Sequence, residues 1–504
     1  MKLPTMSDYQ TYEYMWEMVI VFCGLIGLYL ALGFWYTRQE GQPIKPQASD
    51  KVWWAKVMGF ALLLRVPLLF SPMWYDETFT RAMVLTRWQD FPVALLSDVH
   101  PPGYYLIERA MVMILGASPL SLRLPALVCG LLLIWLVYRF THQVSRRQDM
   151  ARLAAWLTVI LPMGIYYSTE ARYPMMLATV VLGAALALLE DRPRLFIFLA
   201  MMPTYLHSVG TLYTGALLIS AVLYWQSWRW LGWSVLSGVL SALWLPGLLL
   251  QSADVSDGFW LALRTPFSHV MEMTAGQTSP HFILLTMGWG LVVAVSLLGL
   301  AAAVEDWNRR TLLIWLGLVL GVPGIAWGIS ALWHPIYHAR VMLGSVILLI
   351  PGWAAYLTRY KARFLRGVTI VSLVSFLPIL YLLPRTPEDK PFADCAGSDL
   401  IYTTTNVMGV LALTHGGGLP VAMWHESDNF HQVLSDDAKE ALGITLIDDP
   451  QALRGKVCMV VILNYLTRQE EIDQIQAVLD THHPSVHWTK AHRLFNYITL
   501  VYEV

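Results

Sequence analysis

The residues best suited to chemistry in this sequence fall in four short clusters. The first, Trp74-Tyr75-Asp76-Glu77-Thr78, sets two adjacent carboxylates just after a hydrophobic run that ends near Phe70. Ionised groups beside lipid are costly enough that acids at such a boundary are candidates for function. Asp76 equally suits the N-cap of a helix beginning around Thr78. Neighbours on a helix point about 100° apart, which disfavours a shared-proton dyad. A division of labour follows, one acid serving as general base and the other positioning a ligand or partner. Trp74 and Tyr75 provide the apolar surroundings that raise a carboxyl pKa toward a base's working range.

The second cluster is His100-Pro101-Pro102-Gly103-Tyr104-Tyr105. Its prolines open a helix and set His100 at the N-terminus, with Tyr104 close by, where backbone amides and the macrodipole favour an anion such as phosphate. An interfacial histidine in a turn is the plainer alternative. The third, Tyr166-Tyr167-Ser168-Thr169-Glu170-Ala171-Arg172-Tyr173, is a short hairpin between two apolar runs. Glu170 and Arg172 either pair with each other or face a cavity, Arg172 binding phosphate and Glu170 orienting it or a sugar hydroxyl. The fourth is His334-Pro335-Ile336-Tyr337-His338-Ala339-Arg340. Arg340 there offers a guanidinium that can clasp phosphate bidentately, while Pro335 argues against a helical His334–His338 metal pair. Arg65, inside an apolar run, is expected to reach toward Asp76, Glu77 or a lipid headgroup. His207 reads as a cavity-lining or packing residue. No G-x-S-x-G, Walker, HExxH or CxxC motif occurs, which removes the usual support for serine-hydrolase, ATP-driven and zincin chemistry.

These clusters must be held by a membrane protein. The chain has 504 residues, 56% of them hydrophobic and only 14% charged, and its net charge of −1 leaves no basic footprint for nucleic acid. Its 22 Trp and 23 Tyr suit many membrane–water boundaries. Apolar runs predict about twelve spans: 17–36, 52–70, 121–140, 152–167, 174–189, 195–208, 211–226, 230–250, 283–303, 311–331, 341–358 and 367–383. The first is a retained helix, since no basic n-region or cleavage site precedes it. Basic residues recur in alternate connections, at Arg38 to Lys56, Arg139 to Arg152, Arg192 and Arg194, Arg229, Arg309 and Arg310, and Arg359 to Arg366. The positive-inside rule sets these in the cytoplasm and leaves loops 71–120 and 251–282, and everything after 384, outside. Phe79 to Trp88 and Tyr104 to Leu115 read as amphipathic surface helices, and loop 251–282 as a cover over a site.

Past Pro384 the composition turns soluble. Strands at 399–404, 420–424, 444–448, 456–463, 485–490 and 494–502 alternate with helices at 407–414, 430–442 and 469–479, which predicts a small α/β domain. Gly416-Gly417-Gly418 follows a helix and not a strand, so it is not a phosphate-cradling loop. Cys23 and Cys129 sit in apolar runs as packing residues. Cys395 and Cys458 lie where an external, oxidising compartment would allow them to pair. The organisation expected is an added helix and linker over 1–51, a membrane catalytic domain over 52–384 and an extracytoplasmic domain over 385–504.

The succession Leu64-Arg65, Trp74-Tyr75-Asp76-Glu77, His100-Pro101-Pro102-Gly103-Tyr104-Tyr105, Ser121-Leu122-Arg123-Leu124-Pro125 and Tyr167-Ser168-Thr169-Glu170-Ala171-Arg172-Tyr173 resembles the GT-C glycosyltransferases. The likeness spans about residues 55–360 and is greatest to the family 39-like set, which includes protein O-mannosyltransferases and lipid A aminoarabinose transferases. It implies a polytopic helical fold with an external cavity and a donor sugar carried on a polyprenyl or dolichyl phosphate in the plasma (inner) membrane. The position of the family's acceptor-activating acid matches Asp76. Where the aminoarabinose transferases have a phosphate-contacting lysine this chain has His100, only partly charged at neutral pH. Arg172 and Arg340 are then left to supply most of the positive charge.

The chemistry implied is a single inverting displacement. Asp76 takes the proton of an acceptor hydroxyl as it attacks the anomeric carbon, and arginines stabilise the departing lipid phosphate. No cofactor is required by this chemistry, and a need for a divalent cation is left open, as are the sugar and the acceptor (protein, lipid or glycan). A flippase for lipid-linked sugars is the alternative, but it predicts inverted repeats and midplane polar residues, whereas the polar clusters here sit at one face.

Overall fold

The computed structural model describes residues 51–96, 98–253, 283–332, 336–359, 363–375, 377–382, 390–424, 436–449, 452–463, 469–490 and 496–504. The expected first span, most of loop 251–282, and His334 with Pro335 lie outside the described residues. The chain divides into two compact units. One holds the apolar helices up to Leu68, from Ala126 to Leu245 and from Ile283 to Leu382. The other joins Leu69–Pro125, the helical residues from Pro246 and the chain from Lys390 onward. By compactness, then, the 71–120 loop belongs with the C-terminal domain and not with the membrane helices that flank it.

The first unit follows the hydropathy pattern closely, with breaks where proline dictates them. The expected 152–167 span is two helices, Gln148–Ile160 and Pro162–Tyr167, joined through an extended Leu161. A residue before proline is pushed out of the helical region, and Pro162 has no N–H to continue the ladder. The 230–250 span bends by 42° between Trp228–Ala242 and Leu245–Gln251, where Pro246 opens the second piece. Arg309–Leu316 passes through a π turn, Gly317–Gly321, into Val322–Leu332, and Pro323 sits at that junction. Gly299 and Gly352 let two further helices cross closely; a Cβ on Gly299 would stand 2.7 Å from the Gly352 carbonyl carbon.

Among the described residues four helices are long and apolar enough to cross a membrane: Lys51–Phe70, Pro119–Ser145, Arg309–Leu332 and Arg340–Thr358. The bent pair makes a fifth if it is one span, and Pro174–Leu189, Pro193–Leu206 and Gly210–Trp225 are shorter apolar helices. A 14-residue helix such as Pro193–Leu206 rises only about 21 Å. Among the described residues, prolines cut several of the expected spans into shorter helices. The chain is a multi-pass membrane protein.

The C-terminal part of the second unit is a six-stranded sheet of order β3-β2-β1-β4-β6-β5. The strands are β1 (Leu400–Thr403), β2 (Val421–Trp424), β3 (Ile444–Ile447), β4 (Lys456–Leu463), β5 (Ser485–Lys490) and β6 (Asn496–Glu503). β1 to β4 run parallel, and β6 pairs antiparallel with β4 and β5. Val457, Met459 and Val461 of β4 and Ile498 and Leu500 of β6 form its core, with Ile475 of the Gln469–His482 helix packed over them. Thr405 caps the Asn406–His415 helix, and Gly416 to Gly418 follow its end as expected. A disulfide joins Cys395 to Cys458, 63 residues apart in sequence.

This domain braces the loop ahead of it. The Asn406–His415 helix packs on the Tyr75–Leu85 helix, and the His415 ring meets the Met73 carbonyl at 3.1 Å. The Asp436–Ala441 helix packs on Phe91–Leu96. Closing a loop of this length is expected to stabilise the domain by about 4 kcal/mol. Cys395→Ser should therefore lower the melting temperature of the purified protein, and reductant should lower that of the wild type but leave the variant unmoved.

Candidate functional site

In the second unit the Asp76-Glu77 pair sits in the first turn of the Tyr75–Leu85 helix, whose N-cap residue is Trp74. The helix starts three residues earlier than Thr78, so Asp76 is not its cap. Both acids lie where the helix dipole favours negative charge. Their environments differ: Asp76 is half-buried, whereas Glu77 is fully buried. Glu77 is held in a bidentate pair by Arg123, with Nε to Oε1 at 2.7 Å and Nη2 to Oε2 at 2.6 Å. Arg123 also donates to the carbonyls of Leu69, Ser71 and Pro72 at 2.7, 2.7 and 3.1 Å. All three guanidinium nitrogens are engaged, and the turn that delivers Asp76 is tied to the Pro119–Ser145 helix.

The Phe91–Leu96 and Pro102–Leu115 helices both pack on the Tyr75–Leu85 helix that carries the acids. His100 directly precedes the two prolines, and the helix opens at Pro102 as expected. The His100 side chain is buried, its Nδ1 3.2 Å from an oxygen of Asp98, and Asp98 also accepts the Tyr105 hydroxyl at 2.6 Å. Gln251 donates to the Leu95 and His100 carbonyls at 2.9 and 2.8 Å, fixing the backbone of this turn. Tyr104 is buried on the same helix as Glu108. Glu108 is fully buried, and among the described residues neither carboxyl oxygen has a partner at hydrogen-bond distance. Burial drives its pKa from 4.5 up to about 8; the nearby Tyr104 hydroxyl opposes this and the Glu77 charge adds to it. Burial thus favours the neutral form of Glu108.

In the first unit the hairpin bearing Glu170 and Arg172 is clamped from two sides. Arg65 donates from Nε to Ser168 Oγ at 2.8 Å and from Nη1 to the Ala61 and Val159 carbonyls. These contacts lie within its own unit, in place of the expected reach toward the acidic pair. On the other side Gly130 admits the hairpin: a Cβ there would stand 2.3 Å from the Ser168 Cβ. Glu170 and Arg172 are both buried, and the Arg172 amide donates to the Glu170 carbonyl. The Tyr173 ring packs on His207, centroids 4.4 Å apart, which matches the packing role expected of His207. Arg340 is half-buried in a 3-10 turn, Ala339–Met342, capped by the His338 ring. His338 thus serves its own backbone.

Asp76, Glu77, His100 and Tyr104 therefore share one unit, and Arg65, Glu170, Arg172 and Arg340 share the other. Sequence reasoning did not single out Asp98 and Glu108, or see Arg123 as the partner of Glu77. Of these only Asp98, two residues before the marked histidine, carries a local signal. Among the described residues no group of three or more His, Cys, Asp or Glu side chains is arranged to hold a metal ion.

The architecture is a polytopic helical fold with a small α/β domain. Among solved structures the chain is similar to ArnT from Cupriavidus metallidurans bound to undecaprenyl phosphate, at a TM-score of 0.59 and 12% identity over 90% of this chain and 98% of that one. It also matches the oligosaccharyltransferase AglB from Archaeoglobus fulgidus in complex with an inhibitory peptide and a dolichol-phosphate, at 0.47 and 11% over 81% and 69%. The mycobacterial arabinofuranosyltransferase AftD matches at 0.47 and 15% over 91% of this chain and 42% of that one. No family model and no curated protein sequence matches.

Removing one partner of a buried ion pair strands the other, at about 3–5 kcal/mol. Arg123→Ala and Glu77→Ala should each lower the melting temperature strongly, while the double variant Glu77→Leu/Arg123→Met should recover much of the loss. Glu108 gives a pH signature. Its folded pKa lies above the unfolded value, so its contribution is full below 4.5 and is lost as pH rises through about 8. Glu108→Gln should flatten the fall of melting temperature over that window, and its gain over wild type should be largest near pH 8.

Proposed function

We propose that this chain is a membrane glycosyltransferase that moves a sugar from a polyprenyl-phosphate donor to an acceptor hydroxyl at the outer face of the membrane. The observation that carries this reading is the GT-C architecture, matched over nearly the full length of a protein solved with undecaprenyl phosphate, together with the unequal setting of two adjacent acids. Asp76 is the general base: it is half-buried and stands one residue from a neighbour whose position is locked. Glu77 is the positioning residue, its carboxylate committed to Arg123. The base takes the acceptor's proton as the oxygen attacks the anomeric carbon, and the lipid phosphate leaves with inversion.

Arg172 and Arg340 supply positive charge to the departing phosphate and Glu170 serves the sugar, while in the second unit His100 and Tyr104 are donor-binding residues. Arg65 serves that site indirectly, by anchoring Ser168 at the head of the hairpin. The disulfide supports an oxidising, extracytoplasmic location for the α/β domain. The acceptor class is a protein, lipid or glycan hydroxyl.

Asp76→Asn should abolish transfer from polyprenyl-phosphate sugars, by about 10²–10⁴-fold, the usual range for losing a general base, while leaving donor binding intact. Arg172→Ala and Arg340→Ala should weaken binding of undecaprenyl phosphate to the purified protein. Normal transfer by a folded Asp76→Asn would remove the base assignment, and unchanged lipid affinity in both arginine variants would remove the phosphate site.

A further inference from the structure

We infer that Arg81 holds the phosphate of an anionic phospholipid where the 71–120 loop rejoins the membrane, with one face of the Pro102–Leu115 helix laid into the acyl chains. This site is independent of the transfer reaction, in which Arg81 has no part. The helix has the reverse polarity of a soluble one. Its polar residues Tyr104, Tyr105 and Glu108 are buried. Leu106, Ala110, Met113 and Ile114, at spacings i, i+4, i+7 and i+8, are exposed. Met113 and Ile114 are 74% and 76% exposed, so protein covers neither. A helix face of this composition is stable against lipid and costly against water.

Connectivity sets the depth of that face. Only residues 116–118 separate Leu115 from Pro119, where a membrane-crossing helix begins, so the two lie within about 14 Å of each other. The linker between them is not slack: the Ser118 amide donates to Ser121 Oγ at 3.0 Å, and the Ser121 amide to Ser118 Oγ at 3.1 Å. Arg81 reaches this linker. Its Nε donates to the Ala117 carbonyl at 3.4 Å, and among the described residues no carboxylate pairs with it. Nη1 and Nη2 are left for a phosphate, which a guanidinium can clasp with two donors. Arg87, by contrast, is committed to Asp90 at 2.7 Å.

A second arginine fixes an aromatic ring at the same surface. The Arg109 guanidinium donates to the Thr86 carbonyl and lies 4.0 Å from the centroid of the Trp88 ring. Trp88 is nevertheless 60% exposed, as suits an indole at headgroup depth. Leu85, one turn beyond Arg81, extends the apolar surface. The occupant follows from this mixture. A free anion would leave the apolar face in water, and an apolar protein surface would strand the guanidinium; an anionic phospholipid satisfies both.

The test sets a bimane fluorophore on Ile114→Cys of the full-length protein, in a Cys23→Ser/Cys129→Ser background. The protein is held in nanodiscs of phosphatidylcholine and phosphatidylglycerol in equal parts, one or the other carrying a nitroxide on its acyl chain. Both labelled lipids should quench the fluorophore. Phosphatidylglycerol should quench as if enriched about fivefold, the preference that one arginine near the surface gives an anionic lipid. Arg81→Gln should bring the two lipids to equal quenching while the phosphatidylcholine signal stays, which reports an intact helix; Arg81→Lys should keep a preference. Quenching by neither lipid, whether aqueous iodide reaches the fluorophore or a protein surface shields it, would overturn the inference. Equal quenching by the two lipids in the wild type, or a preference that survives Arg81→Gln, would remove the phosphate site.

Discussion

The pairing of Arg123 with Glu77 is the constraint on which the second unit depends. A guanidinium and a carboxylate, both removed from water, can be held only if the remaining donors are satisfied as well. Three carbonyls of the turn before Asp76 do this. The arginine therefore sets the path of residues 69–77 and the start of the helix that carries both acids. Buried ion pairs of this kind add little net stability against an apolar pair of the same shape. Their use here is positional: they hold the half-buried Asp76 where its neighbour cannot move.

A second layer of support comes from the soluble domain. Its Asn406–His415 helix packs on the acid-bearing helix and its Asp436–Ala441 helix on Phe91–Leu96. The sheet behind them is built on parallel strands with apolar faces and is cross-linked by the disulfide. The domain is accordingly part of the scaffold of the candidate site and not an appendage. The hairpin of the first unit is held by a different device, a close approach that only Gly130 permits and one hydrogen bond from Arg65.

Buried polar groups in the second unit fall into three kinds. The Glu77–Arg123 pair is fully satisfied, the Asp98, His100 and Tyr105 set is linked by hydrogen bonds, and Glu108 is kept neutral by burial. Each is a different solution to the cost of taking a polar group out of water. Together they concentrate ionisable chemistry on three helices, Tyr75–Leu85, Pro102–Leu115 and the start of Pro119–Ser145, and the turns that precede them.

The strands and helices of the α/β domain, the order of the apolar helices and the start of the Pro102–Leu115 helix were all legible from periodicity, proline and glycine, because these are local effects of backbone geometry and hydropathy. Asp76 and Glu77 stood out because adjacent acids after an apolar run are costly anywhere. The division of roles between them could not be read there, since it depends on Arg123, 46 residues away in sequence. The same holds for Arg65, whose partner Ser168 is 103 residues distant, and for Glu108, whose complete burial is a property of packing alone. Sequence by itself determined which segments are apolar, where they break and which residues carry charge. Only the tertiary structure decided which charges neutralise one another, because that rests on contacts between segments far apart along the chain.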